Sequence, residues 1–230
     1  GADGQFRGVP PEDSADAAHI ATGPDGQKVP LAQWRAAWGA FLDRCDEVVA
    51  FSESSAAQLA TAYPGVSINI RPHHLSAWIR PVRNQRSTRK TIGILGNMNR
   101  QKGANVLVRM AQAAPHLSFT IIGHCDSTIS LPRNVRVHGA YVPEDIPDLA
   151  ERYGVSSWLM PAIWPETFSF VTHEALATGL PVVGFALGAQ GDALQNAPLG
   201  IAVPLTPDGT APQRLLAALD VGQRRPQAAE

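Results

Sequence analysis

The 230-residue sequence predicts an α/β fold, a parallel sheet with helices on both faces. From Thr91 onward, short apolar runs alternate with amphipathic segments of helical length, the pattern of strands joined by helical crossovers. Hydrophobic residues make up 44% of the chain and charged residues 17%, enough apolar surface for a substantial core. The net charge of −1 argues against a protein that holds nucleic acid through bulk positive charge. No apolar run reaches the length of a membrane span, and no signal peptide opens the chain. It opens Gly1-Ala-Asp without a methionine, as a trimmed chain would.

Taken in order, residues 1 to about 30 are rich in Gly, Pro, Asp and Ala and read as an irregular lead-in. Leu31, Trp34, Trp38, Phe41 and Leu42 fall near helical spacing and predict a helix over 31–44. A strand is expected over 47–51, a helix over 52–62 and a short strand over 66–70. Residues 71–90 break this rhythm with two prolines and a basic cluster, Arg80, Arg83, Arg86, Arg89 and Lys90, and read as a linker. Such a cluster is usually solvated, although it also has the charge to meet anionic lipid or a lipid diphosphate. Beyond it the pattern predicts strands at 91–95, 118–122, 135–138, 156–160, 182–185 and 201–203. The helices expected between and after them cover 104–113, 144–153, 168–178 and 213–219.

Two cysteines, Cys45 and Cys125, lie far apart in different segments, so neither a disulfide framework nor a zinc spacing is expected. A reducing cytoplasm is the simplest setting. His73 and His74 are adjacent, which suits linker residues better than one ligand sphere. No Asp-x-Asp stands at a predicted strand end, and no metal site is expected.

The chemistry is concentrated in Glu166-Thr-Phe-Ser-Phe-Val-Thr-His-Glu174, which follows an apolar strand. A strand that feeds a helix start is where α/β proteins hold phosphate, because that end carries free N–H groups and partial positive charge. The two carboxylates stand roughly 9 to 12 Å apart if the stretch is mostly helical. That gap suits a ligand with hydroxyls at both ends and a diphosphate between them, as in a nucleotide-sugar. Ile92-Gly-Ile-Leu-Gly96-Asn-Met-Asn-Arg100-Gln-Lys102-Gly103 supplies a second strand–loop–helix junction, where glycine lets backbone approach a phosphate and two cations stand ready.

Glu-x7-Glu followed by Ala-Leu-Ala-x-Gly-x-Pro-Val-Val, ending at Val183, resembles the donor-site signature of the retaining family-4 glycosyltransferases, in the C-terminal half of the GT-B fold. The resemblance covers about residues 46–203 and is most specific over 91–183. It implies a Rossmann-like donor-binding domain at 90–230, a linker at 71–89 and a remnant of the N-terminal acceptor domain at 1–70. The activity it implies is transfer of a sugar, with retained configuration, from a nucleotide-diphosphate sugar to a hydroxyl of a polysaccharide or lipid-linked glycan. The nucleotide-sugar is a substrate, so no cofactor is expected, and no nucleic-acid partner. A cytoplasmic location, with peripheral association at the inner face of the cell membrane open to the full-length protein, follows from the same resemblance.

By the same resemblance, Glu174 would meet the ribose hydroxyls and Glu166 the donor sugar, since a carboxylate accepts paired hydrogen bonds from a diol. Gly96, Lys102 and Gly103 match the family's Gly-Arg-Leu-x-x-x-Lys-Gly, with Lys102 acting beside Glu166 in catalysis. Asn97 replaces the usual arginine, and Arg100 is a candidate to supply the missing charge. The N–H groups around Phe168 and Ser169 would face the diphosphate, and His124 follows a loop that often lines the base. Leu187-Gly188-Ala189-Gln-Gly-Asp192 resembles the family's sugar-side loop, which would bring Gly188 and Ala189 near the donor. Gly179 is expected to end the helix, and Trp164 to shape the pocket mouth. His138 is a strand-end residue, and His173 a packing or solvated one. Two other readings stay open: a non-catalytic nucleotide-sugar-binding module, which Asn97 favours, and a nucleotide-sugar epimerase.

Overall fold

The computed structural model describes residues 6, 8–11, 21–23, 25–83 and 91–224. Arg86, Arg89 and Lys90 of the basic cluster lie outside the described residues, as does most of the lead-in. The described part of that lead-in includes a short antiparallel pair, β1 (Ala21–Thr22) and β2 (Lys28–Val29), where irregular chain was expected. A two-residue strand is too short to show alternation, which is why the sequence concealed it.

An N-terminal unit follows. It contains α1 (Leu31–Leu42), β3 (Val48–Ala50), α2 (Glu53–Ala62) and β4 (Ile68–Ile70), with β3 and β4 parallel across the α2 crossover. Ser52 caps α2 by accepting a hydrogen bond from the Ser55 N–H at 3.2 Å. On α1 the ladder Trp34–Trp38–Phe41 runs at ring separations of 5.9 and 5.5 Å, and Trp38 and Phe41 remain exposed.

The larger unit contains β5 (Thr91–Leu95), α3 (Ala104–Ala113), β6 (Ser118–Ile122), β7 (Val135–Val137), α4 (Ile146–Tyr153), β8 (Val155–Met160), α5 (Phe170–Ala177), β9 (Val182–Phe185), α6 (Gly188–Gln195), β10 (Gly200–Val203) and α7 (Ala211–Arg224). A 3-10 turn at Pro143–Asp145 leads into α4. Its six strands are parallel, in the order β10-β9-β8-β5-β6-β7. Alternate residues of each strand face opposite layers. Ile92, Ile94, Phe119, Ile121, Leu159, Val183 and Phe185 pack with α3 and α7. Leu95, Ile122, Trp158, Met160 and Val182 pack with α4 and α5 on the other face. Both faces are covered, which is why these strands read as apolar runs and not as an alternation. Trp158 is fully buried and donates its indole N–H to Thr178 Oγ1 at 2.8 Å.

Residues 71–83 are mostly exposed, as expected of a linker, but they are pinned to the larger unit at particular points. Ile79 is buried in the α4/α5 layer, and the Val82 N–H donates to Thr178 O at 2.9 Å. Arg80 reaches Asp148 and, at 2.6 Å, Glu151, both on α4. Two carboxylates on one helix face gave the arginine a specific partner, which composition could not show.

Gly188–Gln195 is a helix, where a Gly-rich loop was expected. Small residues let it settle tightly: a Cβ at Gly188 would stand 2.7 Å from Pro165 Cα. A comparable contact holds Gly103, whose φ is +81° and whose Cβ would lie 1.9 Å from Pro161 O. Gly103→Ala should therefore cost clearly more stability in urea denaturation than Gly139→Ala. Gly139 has a φ of +100° but open space around it, so its alanine variant should lose only about 1–2 kcal/mol. Equal losses would mean that the dihedral alone, and not the close approach, requires glycine at 103.

Candidate functional site

The strand order reverses direction between β5 and β8, because the chain winds outward from β5 to β7 and then returns to continue through β8 to β10. Connections on the two sides leave in opposite senses there, and a crevice opens at the carboxyl ends of the strands. The loop after β5, residues 96–103, and the loop after β8, residues 161–169, form its two lips.

The first lip is built by backbone ties. Gly96 N–H donates to Ile122 O at 2.9 Å, and Met98 N–H to His124 O at 2.7 Å. Asn97 Oδ1 accepts from the His124 N–H at 3.1 Å, and Asn99 Oδ1 from the Lys102 N–H at 2.9 Å. Lys102 Nζ then crosses the crevice to Glu166 Oε1 at 2.6 Å, joining the lips through the two residues that were the sequence's catalytic candidates. A cavity of about 610 Å³ opens beside this pair, and Gly96, Asn97, Lys102 and His124 line it together with Tyr141 and Val171.

Arg100 is not brought there. It is exposed in the turn before Gly103, outside the cavity lining, and its charge is felt by Asp126. Its three-residue offset from Asn97 within the turn leaves the side chain exposed, outside the cavity lining. The Asn97 side chain is itself occupied in fixing the backbone at His124.

Residues Phe168 and Ser169 precede α5, which begins two residues later than predicted. Phe168 stacks on His173 with centroids 4.4 Å apart and meets His73 edge-on at 5.2 Å. His73 also lies against Phe51 at 3.9 Å and Phe170 at 5.4 Å, so it is an aromatic junction between the two units instead of a loose linker residue. Ser169 is buried, its hydroxyl 2.8 Å from Thr172 Oγ1. Among the described residues, the N–H groups of Phe170 and Val171 meet no acceptor, and Val171 lines the cavity. The N–H groups of Phe168 and Ser169 likewise meet no acceptor among the described residues, so the open N–H groups run from 168 to 171 across the start of α5.

Gly188 and Ala189 support this lip from behind: Ala189 N–H donates to Glu166 O at 3.0 Å. Farther along α6, Asp192 Oδ2 accepts from the Ser54 N–H in the first turn of α2 at 2.9 Å, and Ser55 Oγ donates to Thr167 O at 3.3 Å. Trp164 is exposed and packs edge-on against Phe6 at 5.8 Å.

Glu174 is buried on α5 and accepts no hydrogen bond from the described residues, although its carboxyl oxygens are not sealed from solvent. Burial first, and the Glu144 charge second, hold its carboxyl above the usual range. Tyr141 is pushed up to about 12 by burial and by the Glu174 charge. Tyr141 and Glu144 were missed in the sequence. Their signal is Gly139-Ala-Tyr-Val-Pro-Glu144 directly after a strand, which pairing of β7 with β6 swings over the crevice. His138 shares a 2.9 Å hydrogen bond with Tyr153, away from the cavity. Both cysteines are free. Among the described residues no three His, Cys, Asp or Glu side chains converge as metal ligands, and no helix is long and apolar enough to cross a membrane.

Residues 89–219 match the model of the family described as glycosyl transferases group 1. The chain belongs to this family. Its fold is of the GT-B glycosyltransferase type. It is 22% identical over 173 residues to the D-inositol 3-phosphate glycosyltransferase of Mycobacteroides abscessus, covering 70% of this chain and 39% of that one. Among solved structures, sucrose-phosphate synthase from Thermosynechococcus elongatus superposes with a TM-score of 0.66 at 18% identity, over 88% of this chain and 55% of that one. A S. aureus TarM variant, solved with fondaparinux, α-GlcNAc-glycerol and UDP, superposes at 0.63 and 15% identity, over 89% and 43%. The chain thus spans about 40 to 55% of the length of these glycosyltransferases.

Two expectations follow from the geometry. A carboxyl whose folded pKa is raised costs nothing where it is protonated in both states, and its penalty grows as pH rises until it is complete above the folded value. Glu174→Gln should therefore match the parent chain in acid and have the higher Tm at neutral pH, read by calorimetric scanning. The opposite order, parent more stable at neutral pH, would show that Glu174 is well satisfied in the fold. Asp192→Ala should speed hydrogen exchange at the Ser54 amide and across residues 166–169, whereas Asp192→Asn, which keeps an acceptor oxygen, should not. Unchanged exchange in the alanine variant would remove Asp192 from the support of the Glu166 lip.

Proposed function

We propose that this chain is the donor-binding half of a retaining, metal-independent glycosyltransferase that moves a sugar from a nucleotide-diphosphate sugar to an acceptor hydroxyl. The Lys102–Glu166 pair at the reversal point of the sheet, with the largely buried Glu174 on the same helix-start lip, is the observation that supports it most directly. The UDP of the TarM complex, and the UDP and GlcNAc of the pneumococcal O-GlcNAc transferase GtfA, belong to those proteins but make UDP the first nucleotide to try here.

On this reading the diphosphate enters the cavity of about 610 Å³ between Gly96 and the start of α5. The N–H groups at Phe170 and Val171, with the helix dipole, receive its oxygens. Lys102 turns from Glu166 to the diphosphate and offsets the charge that develops as the sugar leaves. Glu166, released, accepts from hydroxyls of the donor sugar, and Glu174 takes the ribose diol that compensates its burial. The region 1–70 is then part of the acceptor domain and 90–230 the donor domain, with 71–89 between them. A polysaccharide or lipid-linked glycan serves as acceptor, and the protein works in the cytoplasm.

Calorimetric titration with UDP, GDP and ADP, without divalent metal, tests this reading. One nucleotide should bind, and Glu174→Ala should weaken it at least tenfold, the scale of a lost charge-assisted pair of hydrogen bonds. Glu166→Ala should leave nucleotide affinity nearly unchanged while abolishing discrimination among donor sugars. In the full-length protein Lys102→Ala should lower kcat by about a hundredfold or more. Equal nucleotide binding by the Glu174→Ala and parent chains would refute the donor site.

A further inference from the structure

A second polar cavity, of about 390 Å³, lies at the opposite end of the large sheet, where β5 and β6 begin at Thr91 and Ser118. Its lining brings together Arg133, Arg136 and Arg152, from the entry to β7, from β7 itself and from α4. Arg136 and Arg152 both stand over the Tyr153 ring, with guanidinium carbons 5.8 and 5.7 Å from its centroid. The Tyr153 hydroxyl is tied to His138 Nδ1 at 2.9 Å, which fixes the ring as a platform for the two arginines.

None of these three guanidiniums has an ion-pair partner among the described residues. The one carboxylate in the lining, Glu151, is already committed: it binds Arg80 at 2.6 Å and accepts from the Arg83 N–H at 3.0 Å. Three cations therefore share one concave surface on a chain whose net charge is −1. Like charges so gathered repel one another, and a bound anion relieves the repulsion. Planar guanidinium forks match the oxygens of a phosphoryl group in pairs. The crevice of the proposed donor site lies at the other end, at the carboxyl ends of the same strands.

We infer that this cavity is an anion site for a phosphate-bearing group, borne by a soluble phosphate compound or by an anionic lipid headgroup, and separate from the donor crevice. Both sites can be filled at once, since the sheet lies between them.

The test is titration of the ¹⁵N-labelled chain with pyrophosphate at low salt, followed by amide shifts. Shifts are expected at Arg136, Tyr153 and Gly154, beside any at residues 96–103. The double variant Arg136→Gln/Arg152→Gln should lose at least tenfold in affinity at the first set only, whereas Lys102→Ala should leave that set unchanged. Both arginines are exposed, so matched Tm values will show that the double variant is folded. Absence of shifts at 136 and 153–154, or equal affinity in the double variant, would overturn the site. Flotation with vesicles of phosphatidylcholine and phosphatidylglycerol separates the two sources. Flotation lost in the double variant assigns a headgroup, while pyrophosphate binding without flotation assigns a soluble ligand.

Discussion

The loop of residues 161–169 is held by contacts that permit no side chain on the other partner, and the rest of the site depends on that constraint. Gly103 presses on Pro161 from the side of α3, and Gly188 presses on Pro165 from the side of α6. Backbone hydrogen bonds run beside both contacts, Ile163 N–H to Gln101 O at 2.9 Å and Ala189 N–H to Glu166 O at 3.0 Å. The loop is therefore clamped at both ends by main chain, and Glu166 can meet Lys102 with little freedom left to lose. A flexible loop carrying the same two side chains would pay conformational entropy for that pair each time it formed. Here the sheet has already fixed it.

The clamp explains why the crevice tolerates an energetically poor residue. Glu174 is largely buried, its carboxyl oxygens keep only a narrow opening to solvent, and it stands within reach of the Glu144 charge. A carboxylate in that position weakens the fold, and the fold carries it because the layers around it are well packed: Trp158, Ala175 and Val182 are fully buried in the same layer. A partly desolvated carboxyl at one point of a well-packed domain is commonly found where ligand is received. On the proposed reading, the ribose supplies what the fold withholds.

Much of this architecture is legible in the sequence because strands buried on both faces announce themselves as short apolar runs, and β5, β6 and β9 fall at the predicted bounds. Glu166, Lys102 and Gly96 are legible as well, since each sits at a strand–loop–helix junction whose type the local pattern fixes. What escaped was decided by distant packing. Residues 188–195 form a helix although Gly-Ala-Gln-Gly is a poor helical start, because docking against Pro165 and α2 outweighs a propensity worth about 1 kcal/mol per glycine. Phe168 and Ser169 stay outside α5 because Phe168 is drawn into the stack with His73 and His173. Tyr141 reaches the crevice, and Glu144 the neighbourhood of Glu174, only through the β6–β7 register, and Arg80 finds its partners 68 and 71 positions away. No local window contains those facts.

The same distant packing joins the two units in a particular way. Ser54, at the start of α2, reaches the side of α6 through Asp192, and the opening turn of α6 holds the carbonyl of Glu166. An N-terminal helix end, one carboxylate, a two-turn helix and the lip of the crevice thus form a single mechanical line. Asp192 suits the first link because a carboxylate is favoured at the positive end of a helix and satisfies an N–H that the helix itself leaves open. Ser55 adds a parallel link to the carbonyl of Thr167. Because both links end on residues flanking the Glu166 side chain, a shift of α2 relative to the sheet must either move that lip or break a hydrogen bond. A crevice built between two units then has a direct means by which the position of one sets the geometry of the carboxylate belonging to the other.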